Sequence, residues 1–114
     1  MPECAYRLKL STEWPYLFTF YVAVERVAPH MIDVDAVEIV DALAKAAERQ
    51  RARLQGSDYS EPREPFTVAA IPHYTVAIVF DARTFDSFRI RNEAASILFT
   101  LRREIERAQE VPHE

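Results

Sequence analysis

Polar and apolar positions along this chain follow two periodicities, and the places where one gives way to the other outline the elements. Residues 4–10 alternate, with Tyr6, Leu8 and Leu10 on one side and Arg7 and Lys9 on the other, as a half-buried strand requires. Residues 11–15 break that pattern with small, polar and proline positions. Residues 16–27 then resume it as a long run rich in aromatic and β-branched side chains, so the two runs predict an antiparallel hairpin. Pro29 predicts the end of the second strand. Asp33 or Asp35 then predicts a helix start, with Asp35-x-x-Glu38 at the spacing of a capping box. Ala36, Val40, Leu43, Ala47 and Leu54 recur at helical intervals towards Gln55, with acids crowding the start and Arg49, Arg51 and Arg53 the end, which complements the helix dipole. Gly56, the single glycine of the chain, is expected to supply the left-handed residue that closes this helix.

The same order then recurs. Residues 56–65 read as a polar surface loop, and residues 66–71 and 74–80 as two more strands turned at Pro72-His73. Alternation places Tyr74, Val76, Ile78 and Phe80 on one face of the last strand and Thr75, Ala77 and Val79 on the other. Ile90, Ala94, Ile97, Leu98, Leu101, Ile105 and Ala108 trace a stripe of helical period that predicts a second helix ending by Gln109. Residues 84–90 fit two patterns: Phe88 and Ile90 alternate like a strand, while Phe85 and Phe88 suit a first helical turn. A fifth short strand, or a bent lead-in to the helix, is the expectation. The predicted fold is α+β, an antiparallel sheet of four to five strands with two helices packed on one face, in the order ββα-ββ(β)α. Its 114 residues suit a single domain over 1–114. The two halves share an architecture, with no repeat visible residue by residue.

The second strand is the most informative stretch, because Trp14, Tyr16, Phe18, Phe20 and Tyr21 place five aromatics within eight residues. If Phe18, Phe20, Val22 and Val24 face the helices, then Leu17, Thr19, Tyr21 and Ala23 face the other side of the sheet. That side is more apolar than a solvated face needs to be. It is either a strand whose back is covered by loops, or an open patch in which Leu17, Tyr21 and Ala23 join Ala77 and Val79 to form a protein interface or homodimer seam. A third reading makes it a stacking platform for nucleic acid flanked by Arg7 and Lys9. Trp14 and, at the expected hairpin tip, His73 are further candidates for contact with a partner.

Charge and chemistry narrow the field. A net charge of −4 repels polyanions on average. The arginines of both helical segments are interleaved with Glu48, Glu93, Glu104, Glu106 and Glu110, so salt-bridged helix faces are the simpler account of them, and nucleic acid is the less favoured partner. Cys4 is the only cysteine, which excludes an intrachain disulfide and multi-cysteine metal sites and suits a reducing compartment. No basic stretch followed by an apolar run of roughly 7 to 15 residues opens the chain. No run approaches the roughly 20 apolar residues of a membrane span. A cytoplasmic location without membrane contact is therefore expected.

His30, His73 and His113 are scattered, and His30-x-x-Asp33 alone is too few ligands for a metal site. One glycine cannot build a phosphate-cradling loop, and no serine lies in a nucleophile elbow. Asp81 and Asp86 read as turn formers or helix caps. No catalytic residue, metal or cofactor is expected. The leading expectation is a non-catalytic protein-binding module that occupies a partner's surface. A compact acidic inhibitor, of the kind a phage or mobile element directs against a host complex, is one form of it. A nucleic-acid-binding domain and a small enzyme with a site at a dimer seam are the competing classes.

Overall fold

The computed structural model describes residues 5–56, 66–71 and 75–110. Its elements run β1 (Tyr6–Leu10), β2 (Leu17–Ala23), α1 (Pro29–Val34), α2 (Ala36–Ala52), β3 (Phe66–Ile71), β4 (Thr75–Asp81), α3 (Ser87–Asn92) and α4 (Ala94–Glu110). The strands form one antiparallel sheet in the order β1-β2-β4-β3. Phe18, Phe20 and Val22 pair with Phe80, Ile78 and Val76 on one face. Over that face lie Ile39, Leu43 and Ala47 of α2 and Ile97, Leu101 and Ile105 of α4, all buried in the same core. Stacked rings of Phe18 and Phe80, 5.1 Å apart, and of Tyr6 and Phe20, 5.7 Å apart, fill the space between sheet and helices.

Several expectations need correction. The sheet holds four strands among the described residues, and the optional fifth is absent: Asp86 accepts a hydrogen bond from the Arg89 backbone N–H at 2.9 Å and caps α3 instead. Pro29 starts a helix rather than only ending a strand, because the first helical turn has no use for the N–H that proline lacks. Each expected helix is a pair, a six-residue helix and a 17-residue helix joined at one acidic residue. Those residues, Asp35 (φ −92°, ψ 8°) and Glu93 (φ −105°, ψ 21°), leave helical geometry. Asp35 makes no capping bond with its side chain, which accepts from the Tyr6 hydroxyl at 2.7 Å. Burial, followed by that bond to the Asp35 carboxylate, pushes the Tyr6 phenol well above its ordinary pKa. Helix α2 closes at Arg53 in right-handed geometry, so Gly56 is not its cap. The strand β2 is shorter than the run that predicted it, since the chain turns after Ala23 with Arg26 N–H bonded to the Ala23 carbonyl. The turn at Pro72-His73, Cys4, and most of the loop after Gly56 lie outside the described residues.

The two halves correspond at a constant offset. Adding 58 to the bounds of β2, α1 and α2 gives those of β4, α3 and α4. Phe20 pairs with Ile78, its own counterpart, so an approximate two-fold axis passes through the sheet at that pair. Short helices cross over accordingly, with α1 packed on α4 and α3 on α2. Arg102 of α4 meets Asp33 of α1 at 3.1 Å, and Arg91 of α3 meets Asp41 of α2 at 3.1 Å. Lys45, with Arg91 after it, holds the Asp41 carboxyl below the usual range. At the helix ends, Arg51 Nη1 donates to the Ala82 carbonyl at 2.9 Å, while Gln109 Nε2 donates to the carbonyl of Val24, the counterpart of Ala82, at 3.0 Å. Buried Ile32, Ile39 and Leu43 are matched by identical Ile90, Ile97 and Leu101. A residue-level repeat therefore exists: three buried positions are identical, as are Ala36 and Ala94 and the exposed pairs Glu48 with Glu106 and Arg49 with Arg107, while most other positions have diverged.

Candidate protein-binding face

Period-two alternation in β2 and β4 leaves a second sheet face, and no described helix packs on it. Each row across that face is fixed by register: Arg7, Tyr21 and Ala77 in one, Lys9, Thr19 and Val79 in the next. Leu17, Thr19, Tyr21, Ala23, Thr75 and Val79 are half-buried, while Ala77 is 1% exposed. The guanidinium of Arg7 lies 4.6 Å from the centre of the Tyr21 ring, which keeps that ring against the sheet and places a positive charge at the border of the apolar patch.

Asp81 shares the face with Val79 and Ala77 by alternation and ends it with a buried charge. Arg83 pairs with Asp81 at 2.7 Å and the two side chains are almost wholly enclosed. The Arg83 backbone N–H also donates to Asp81 Oδ1 at 2.9 Å. The Tyr16 ring covers the guanidinium at 3.6 Å, and Trp14, half exposed, leans on Tyr16 with ring centres 6.2 Å apart. Of the candidates read from the sequence, Leu17, Tyr21, Ala77 and Val79 thus share one face and Trp14 stands at its end. His73 lies outside the described residues. The cluster of Tyr16, Asp81 and Arg83 escaped sequence reading, because Arg83 follows the strand in a turn and only folding shows that its side chain returns over Asp81.

The loop carrying Trp14 is held from below. Gln50, fully buried in α2, donates from Nε2 to the carbonyls of Ser11 at 3.0 Å and Leu17 at 2.6 Å. Arg53 donates to the Ser11 and Thr12 carbonyls at 2.6 and 3.1 Å. Arg51 and Arg53 are thereby engaged with backbone carbonyls, Arg89 with Glu93, Arg91 with Asp41, Arg102 with Asp33 and Arg107 with Glu104. Little of the helical arginine remains for phosphates.

Among the described residues no group of three or more His, Cys, Asp or Glu is placed to hold a metal ion. His30 is exposed on α1. No helix among the described residues is long and apolar enough to cross a membrane. Comparisons with protein-family models, with curated proteins and with solved structures gave no match.

Proposed function

We propose that this chain is a non-catalytic protein-binding module that seats the open sheet face on the surface of another protein. One observation carries the reading: Leu17, Tyr21, Ala23 and Val79, partly exposed, lie with Thr19 and Thr75 around the enclosed Ala77 on a face that no described helix covers, opposite the face that takes the helical packing. Apolar faces of this kind, bordered by charge, mark interaction surfaces. The arginine pairing supports a protein partner over a nucleic acid. A second copy of the chain is the simplest such partner, and blockade of a larger complex, as by an anti-defence inhibitor, is another form of the same activity.

The test is capture of partners from the native host on immobilised wild type and Tyr21→Glu, with sedimentation of both at tens of micromolar. The wild type is expected to retain a protein, or to sediment as a dimer, and the variant to lose that partner while its thermal unfolding stays close to that of the wild type. The same proteins retained by both, with both monomeric, would remove the face from the account. Tight binding of nucleic acid that collapses with salt would favour the nucleic-acid class instead.

A further inference from the structure

The edge strand β1 carries a second surface. Ala23 N–H donates to the Ala5 carbonyl at 2.9 Å and Ser11 N–H to the Leu17 carbonyl at 3.1 Å. In an antiparallel ladder these bonds fix the parity: residues 5, 7, 9 and 11 turn their backbone groups towards β2, and Tyr6, Leu8 and Leu10 turn theirs outward. Nothing among the described residues accepts from or donates to that outward row. Beside it lies an open groove of about 250 Å³, floored by Leu8, Leu10, Ala42 and Ala46 and rimmed by Lys45 and Arg49.

We infer that this edge accepts an extended acidic segment of a partner protein as a fifth strand. Main-chain bonds to Tyr6, Leu8 and Leu10 would hold such a segment, as in other strand-addition complexes. Residues opposite Leu8 and Leu10 point into the groove and are best apolar. Residues opposite Arg7 and Lys9 point to the other face and are best acidic, because among the described residues neither cation has a carboxylate partner and both are exposed. Arg49 likewise lacks an ion pair among the described residues. The segment recognised is therefore an alternation of acidic and apolar residues.

A second copy of β1 does not fit. In the antiparallel registers that pair most of β1 through its outward row, those centred on Arg7, Leu8 or Lys9, the two cations face each other or themselves, and like charges directly opposite oppose pairing. Charges on an edge strand commonly guard against self-association; here the same charges select the sign of what is admitted.

This inference rests on the protein-binding reading but uses a different surface, so the two fail separately. The probe is a capped peptide of alternating Glu and Val, six residues long, titrated to millimolar into the isotopically labelled full chain, with the Lys and Val peptide as control. The expected result is slower amide exchange at Leu8 and Leu10, by about tenfold or more, with the acidic peptide only. Arg49→Glu is expected to weaken binding about fivefold, and Val79→Ser, on the helix-free face two strands away from β1, to leave it unchanged. No protection at Leu8 and Leu10, equal binding of the basic peptide, or shifts centred on Tyr21 and Val79 would each overturn it.

Discussion

Gln50 shows how much of this fold depends on side chains that look ordinary in sequence. It stands among charged residues near the end of α2, where a glutamine reads as a solvated position, yet it is fully buried and satisfies two carbonyls of the β1–β2 connection. Helical periodicity orders faces, but the sequence does not show that the loop folds back across that turn. Gln50→Ala removes one of the two donors to each of the Ser11 and Leu17 carbonyls, which keep Arg53 and the Ser11 N–H, and is expected to cost about 1 kcal/mol. A denaturant midpoint checks this, and loss of the Trp14–Tyr16 contact should appear in the tryptophan emission. Tyr6 was legible as a core residue, since alternation puts it inward, but its hydroxyl bond to Asp35 spans 29 positions and no local pattern signals it. The sign of its pH dependence follows from the raised phenol pKa. The bond's stabilisation is intact below the ordinary tyrosine value near 10 and is lost as pH rises from there towards the folded value. Tyr6→Phe is expected to cost about 1 kcal/mol at neutral pH. Urea denaturation from pH 8 to 11 should show a shallower alkaline decline in the variant.

Strand and helix types were legible where the period was unbroken, and boundaries failed where one side chain had two uses. β1, β3 and β4 and the stripes of α2 and α4 follow from periodicity alone. Asp35 does stand at the start of α2, as its spacing predicts, but its carboxylate serves Tyr6 rather than a capping box, and Pro29 opens a short helix before it. At residues 84–90 a two-residue alternation, Phe88 and Ile90, mimicked a strand. Asp86 decides the outcome by binding the Arg89 N–H, and only Ile90 of that pair is buried, with Phe88 exposed. Asp86→Ala is expected to cost about 1 kcal/mol. Urea denaturation would register it, and amide exchange should show faster opening of α3 than of α4.

At the scale of the molecule, the two-fold relation between halves explains why the helices occupy one face only. Each half brings two strands and a kinked helix, and the axis through Phe20 and Ile78 runs across the sheet from face to face, so both helices fall on the same side. Ile32, Ile39 and Leu43 recur as Ile90, Ile97 and Leu101, but most intervening positions differ in charge and size, which hides the repeat from a scan of whole segments. The helix-free face of the sheet was legible from alternation in β2. Its end, closed by Tyr16 over Asp81 and Arg83, was not, because that closure needs a turn geometry that residue types alone do not specify. The proposed function rests on that face being accessible. The direct measurement is the rate at which Val79→Cys, in a Cys4→Ser background and at submicromolar protein, reacts with a thiol reagent in native buffer and in denaturant. The account predicts a native rate within about tenfold of the denatured one, as for a partly exposed thiol. Protection comparable to that of Ile78→Cys, which faces the core, would contradict it.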